Sequence, residues 1–312
     1  MFNNQYVILI LFLSLGLSNF SSSIKVGYDS NILKYSDNEN PISSDLIQFS
    51  GSYIKKINIL ERKTRFTINF KKSNYKLSEK SNYSIGIRLK QPLGKYRFIS
   101  FSYNYIDNIY LRTYVDVDQG VLDHVYTATN CSFDNTRINL NYEFPMFTKK
   151  SKINLYYLHE TQFYNKYFTE FDLKSNGFKI RYSHQIKNNK YSFSISYNDA
   201  KNITLNDLTL STSYMDRGYT ESGFNITYKY HQIGFSINIF NRDYSSNIIE
   251  DQLHLNRTHK DIQYSLGYSF DLFNTKNKLV FKYRARNTFS PYNWVSDLKT
   301  FDKFNLEHSI YF

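Results

Sequence analysis

Residues 302–312 read DKFNLEHSIYF, and in them Phe304, Leu306, His308, Ile310 and Phe312 alternate with Lys303, Asn305, Glu307, Ser309 and Tyr311. A period of two sends successive side chains to opposite faces of a strand, so one face here is largely apolar and the other polar. About ten residues is also the length of a strand that crosses a bilayer at a tilt. The segment predicts a strand with lipid beside Phe304, Leu306, His308, Ile310 and Phe312, and water beside Lys303, Asn305 and Glu307.

The same period recurs upstream. Phe66, Ile68 and Phe70 alternate with polar neighbours, as do Tyr83, Ile85, Ile87 and Leu89, then Ile99, Phe101, Tyr103 and Tyr105, and later Tyr191, Phe193, Ile195 and Tyr197. Turn-like spacers such as Gln91-Pro92-Leu93-Gly94 separate these runs, which is the pattern of a continuous antiparallel meander. With 30 Tyr and 26 Phe but only 4 Pro and 11 Gly, the composition favours strands over helices. Mean hydropathy is −0.53 and only residues 7–17 form a long apolar run, which excludes a helical membrane protein. The single cysteine, Cys131, excludes an intrachain disulfide and a thiolate metal cluster, and it is read as a bystander in a loop.

Residues 7–17, VILILFLSLGL, are followed by small and polar residues through Ser23. This run is too short to span a bilayer comfortably and reads as a secretory signal. Ser21 and Ser23 suit cleavage before Ile24, with Gly16 and Ser18 as a second choice. The expected organisation is a signal peptide over 1–23 and a barrel over 24–312. A soluble sandwich would also alternate, but these runs often exceed its usual strand length of about five or six residues, and closure removes the exposed sheet edges.

The terminal phenylalanine, together with Gly27-Tyr28-Asp29-Ser30-Asn31-Ile32 followed by Ser36-Asp37, resembles the closing and opening strands of bacterial outer-membrane β-barrels. The resemblance covers both chain ends. It implies an all-β transmembrane barrel in the outer membrane, contact with lipid and lipopolysaccharide, and insertion by the barrel-assembly machinery, which would read Phe304, Leu306, Ile310 and Phe312. It names no solute, and it leaves the oligomeric state open.

Alternation gives about sixteen strands, at 24–33, 44–56, 62–72, 80–91, 95–107, 133–145, 151–162, 166–173, 176–185, 190–199, 204–214, 220–230, 232–242, 258–271, 276–287 and 302–312. Without the hairpin at 166–173 the count is fourteen with the same parity. Short turns at 57–61, 92–94, 145–150, 230–231 and 273–275 fall on the periplasmic side, and longer loops at 34–43, 108–132, 243–257 and 288–301 face outward. The final strand must close the ring on the first.

Function is expected in the lumen. The inward phase collects Arg65, Lys71, Arg88, Lys90, Arg137, Lys179, Arg181, Lys229, Lys282, Arg284 and Arg286, against Glu143, Asp271 and Glu307. Fixed positive charge lining water enriches anions, which predicts a passive porin-like channel for small anionic or neutral solutes. The alternative is a non-conducting scaffold whose outer loops bind a surface partner or lipopolysaccharide. Asp116, Asp118 and Asp123 lack the register of a calcium loop, and no metal or cofactor is expected. The net charge of +12 is dispersed and alternating on an exported chain, which argues against nucleic acid. An outer-membrane hydrolase is the weakest reading: there is no GxSxG and no HExxH, and His184, or Asp251 with His254 and His259, only faintly echo catalytic sets.

Overall fold

The computed structural model describes residues 19–36, 40–118, 125–204 and 215–312, with the backbone alone at 114–118 and 125–128. The alternating segments form β1 Phe20–Asp29, β2 Ser44–Ile59, β3 Arg62–Tyr75, β4 Asn82–Gly94, β5 Arg97–Asp118, β6 Val125–Met146 and β7 Thr148–Tyr164. They continue as β8 Leu173–Ile186, β9 Asn189–Asn202, β10 Tyr219–Tyr230, β11 Ile233–Tyr244, β12 Thr258–Leu272, β13 Thr275–Phe289 and β14 Phe301–Tyr311. Each strand pairs antiparallel with its sequence neighbours, and β1 pairs with β14, so the sheet is a closed barrel. A short helix, α1 Asn293–Lys299, lies between β13 and β14.

Closure follows the alternation of the last strand. Ile24 faces Ile310, Val26 faces His308 and Tyr28 faces Leu306 on the apolar phase, while Gly27 faces Glu307 on the polar one. Phe312 and Ser22 exchange two backbone hydrogen bonds of 2.9 and 3.3 Å, so the ladder runs to the last residue. His308 shares the outward phase, where its Nε2 lies 3.0 Å from Asn277 Oδ1, and this contact satisfies a polar ring among apolar neighbours.

One end of the barrel has only short turns. Leu60 with Glu61, Tyr96, Phe147, Lys187, His231, and Phe273 with Asn274 take positive φ there, between 48° and 64°. That left-handed conformation tightens the turn and matches strand twist at some steric cost to a non-glycine residue. β1 begins and β14 ends at this same end. The opposite end carries the longer connections.

Several boundaries differ from the sequence reading. The strand count is fourteen, not sixteen: residues 166–173 form no strand, Thr169–Phe171 being a single 3-10 turn, and β9 pairs directly with β10 with no strand between them in the sheet. Asp172 Oδ1 accepts the Tyr164 N–H at 2.7 Å and pins that loop to the end of β7. The expected strand at 204–214 lies outside the described residues apart from Thr204. The expected loop at 108–132 is largely an extension of β5 and β6, which stay paired from Ile109 with Phe133 out to Asp118 with Val125, with two register shifts near Tyr110. Tyr, Leu and Val recur through 110–117 and carry enough strand propensity to continue the ladder. Pro92–Gly94 is not a turn but the end of β4, where the register shifts, and the turn follows at Tyr96. Residues 30–33 leave the first strand because Asn31 donates to and accepts from the Tyr35 backbone, which folds the chain back.

The start of β1 bears on processing. Phe20 pairs with Tyr53, and the Ile54 N–H donates to the Asn19 carbonyl at 2.8 Å. A cut before Ile24 would remove Ser22, the partner of Phe312. Cleavage after Ser18, the second choice from sequence, keeps the whole strand.

Candidate functional site

The register puts Arg65, Lys71, Arg88, Lys90, Arg137, Lys179, Arg181, Lys229, Lys282, Arg284 and Arg286 on one face of the closed sheet, through cross-strand rows such as Lys56–Arg65–Lys90 and Arg181–Ser194–Asn225. That face is the interior. Five of the eleven basic residues predicted to line it are neutralised across strands. Arg284 and Arg286 both reach Asp261, at 2.9 and 2.7 Å, and Lys282 reaches Glu307 at 2.7 Å. Arg137 binds Glu160 at 2.8 Å, and Lys90 shares Glu143 with Lys152 at 3.4 and 3.0 Å. Arg65, Arg88, Lys179 and Lys229 make no ion pair among the described residues, and Arg181 donates to the Ser192 hydroxyl at 3.0 Å. The sequence reading missed Asp29, Glu160, Glu221 and Asp261 as interior acids, as well as Arg242. Glu221 and Asp261 lie a multiple of two from Lys229 and Asp271, which were assigned inward on the same strands, so extending the phase along β10 and β12 would have found these two.

The outer end of the lumen is lined by aromatics with cations against their faces. Arg242 lies 3.7 Å from the Tyr219 ring centroid, Arg257 lies 3.8 Å from that of Tyr244, and Arg217 lies 4.8 Å from that of Tyr164. Stacking suits guanidinium because it is planar and weakly hydrated. Phe133 and Cys131 pack beside Tyr164. Cys131 is thus no loop bystander: it sits in β6 at 1% exposure, and its buried thiol is a packing element. Val295 of α1 is fully buried, which draws the β13–β14 connection against the wall. Lys299 at the end of α1 is held down to about 7 by loss of solvent and then by the nearby charges of Arg112, Arg257 and Arg217.

The other face of the sheet is apolar. Ile68, Ile87 and Tyr103 form one cross-strand row, and Ile180, Ile195, Phe224, Ile239 and Ile262 another. Ile68, Ile87, Tyr103, Ile180, Ile195 and Phe224 are all exposed. A band this large requires a bilayer or a partner to cover it. Among solved structures the chain is similar to OccAB1 of Acinetobacter baumannii, with TM-score 0.50 and 10% identity over 94% of this chain and 96% of that one. The chain has the fold of the outer-membrane β-barrels. The apolar exterior and the closed sheet put this outer-membrane barrel in the bacterial outer membrane, with the short turns on the periplasmic side. It is also similar to OccK10 (OpdN) of Pseudomonas aeruginosa, with TM-score 0.46 and 8% identity over 94% and 98% of the two chains. OmpT, an outer membrane protein of Vibrio cholerae, gives TM-score 0.45 and 7% identity over 94% and 96%. No protein-family model matches the chain, and no curated protein matches it in sequence.

Two arrangements in this outer-membrane barrel bear on hydrolysis. Ser151 Oγ lies 2.6 Å from His184 Nδ1, but both sit on the outward phase, and no carboxylate orients the ring among the described residues. His184 instead stacks on Tyr182. At the other end Asp251 Oδ1 lies 2.8 Å from His254 Nδ1, and His254 and His259 flank the Tyr244 ring. All three residues are buried, at 0%, 3% and 3% exposure, so a substrate bond has no approach to them. The carboxylate also accepts the Asp216 N–H and the Ser246 hydroxyl, which ties two outer loops together. Asp251→Asn is expected to lower stability by about 3 kcal/mol, since it strands buried donors; an unchanged denaturant midpoint would contradict that role. The acids Asp116, Asp118 and Asp123 lie where no side chain is described.

Proposed function

We propose that this barrel is a passive channel for small solutes that favours anions over cations. The observation that carries the reading is the set of interior cations without acid partners, Arg65, Arg88, Lys179 and Lys229, with Arg181 beside them. Charge fixed on a low-dielectric wall focuses potential into the water it encloses, which lowers the barrier for anions and raises it for cations. Proteoliposomes containing the full chain are expected to admit gluconate several-fold faster than N-methylglucamine. Equal or reversed rates would overturn the preference.

The packed outer end favours a second reading, a barrel that does not conduct and whose outer loops meet lipopolysaccharide or another surface partner. That reading predicts uptake of neither probe. In both readings Phe304, Leu306, Ile310 and Phe312 serve as the segment recognised by the assembly machinery.

Lys299 gives the channel a pH dependence. Its folded value of about 7 lies below the ordinary 10.5. The folded chain therefore holds fewer protons than the unfolded chain between those values, and stability rises with pH across that window. The outer mouth loses a positive charge as pH climbs through 7. Anion preference is expected to fall between pH 6 and 8, and Lys299→Gln to flatten the profile; a wild-type profile flat over that range would contradict this.

A further inference from the structure

The periplasmic mouth carries lysines in an arrangement that the ion pairs above do not explain. Lys190 of β9 and Lys229 of β10 are direct cross-strand partners on the interior face. Like charges placed opposite each other destabilise a sheet, and neither lysine has an acid partner among the described residues. The row continues from Lys229 to Gly234 of β11 and then to Gly267 of β12. Two neighbouring strands therefore present bare backbone to the lumen at the same height. A Cβ added at Gly234 would meet nothing within 4 Å, and at Gly267 its nearest neighbour would be Lys278 Cε at 3.4 Å.

The missing side chains leave a notch of about 220 Å³ between Lys229 and Lys278, with the hydroxyls of Ser236, Ser265 and Ser269 on its walls. Lys229 also borders a cavity of about 350 Å³ that includes Lys187 and Lys190, and another of about 460 Å³ that includes Lys276 and Lys278. The three spaces adjoin at Lys229, and the trough they outline is lined by five lysines and a single carboxylate, Asp271. Glycine in a strand interior marks close approach by another group, and an ammonium is a compact charge that suits a tetrahedral anion. Serine hydroxyls supply the remaining donors. One carboxylate or chloride would leave most of these charges uncompensated, whereas a chain of phosphates would place one group in the notch and others along the flanking lysines.

We propose that this trough binds solutes bearing two or more phosphate groups at the periplasmic mouth, with one phosphate in the Gly234–Gly267 notch between Lys229 and Lys278. The inference rests on the water-filled, anion-favouring lumen proposed above. Tripolyphosphate is the probe, with orthophosphate at equal ionic strength as its comparison, and chloride current through the reconstituted full chain is the readout. Tripolyphosphate is expected to block at a concentration roughly tenfold or more below orthophosphate, since several charge-assisted contacts act together. Lys229→Gln with Lys278→Gln is expected to raise its half-blocking concentration by roughly tenfold. Gly234→Leu keeps both lysines and enters open space, so it should fold and raise that concentration by filling the notch. Heat-modifiable migration on gels reports that each variant has folded.

If the wild type favours anions but tripolyphosphate blocks it and both variants alike, the trough is not the site and the channel reading stands. If no current flows, the channel reading fails and calorimetry on the detergent-solubilised chain decides the trough. Binding lost in both variants would support it, and no wild-type binding would overturn it.

Discussion

Deleting Phe312 is expected to reduce the heat-modifiable, folded fraction of the chain more than any single loss of an aromatic inside a strand. Its amide and carbonyl are the last rungs of the seam between β1 and β14, at 2.9 and 3.3 Å from Ser22. Removing them and the ring leaves unpaired backbone where lipid offers no alternative partner. Two such bonds and an interfacial aromatic amount to about 3 kcal/mol, or about a hundredfold in the closure equilibrium. Phe235→Ala or Phe281→Ala removes an exposed ring and leaves every backbone bond in place, so these variants should assemble at near wild-type levels. Equal yields for the terminal and internal variants would mean that the seam does not depend on the last residue.

Replacing Arg88, Lys179 and Arg181 together by Glu is expected to invert ion preference. These three lie on the interior phase of β4 and β8, and none is bonded to an acid among the described residues. Their reversal therefore strands no carboxylate. Lys282, Arg284 and Arg286 are poorer targets, because removing them would leave Glu307 or Asp261 partly buried without a partner. The triple variant changes the fixed charge by six, which should move the anion-to-cation permeability ratio by roughly tenfold or more. A ratio unchanged in a folded triple variant would show that these residues do not face the permeating ion.

The closing of the sheet was legible because alternation in 302–312 and in the first strand fixes two faces, and a one-residue slip in their pairing would set apolar against polar. Short-range competition decided the errors. Residues 166–173 contain Tyr and Phe enough for a strand, yet the Asp172 side chain captures the Tyr164 amide and favours a 3-10 turn. The turn at Leu60 and Glu61 carries neither glycine nor asparagine, so nothing in its residue types announces the left-handed backbone. Interior cations could be read from phase alone. Whether each is neutralised could not, since Arg286 meets Asp261 only through a register that brings together residues 25 positions apart. The Gly234–Gly267 notch depends on the same kind of coincidence between strands.

The most direct test of the central claim is the zero-current potential of the unmodified chain in a planar bilayer separating concentrated from dilute potassium chloride. The two ions have similar mobility in water, so the sign reports the fixed charge of the lumen. An anion-favouring potential at pH 6 that declines toward pH 8 is the predicted result, and a cation-favouring potential or a silent bilayer would contradict it.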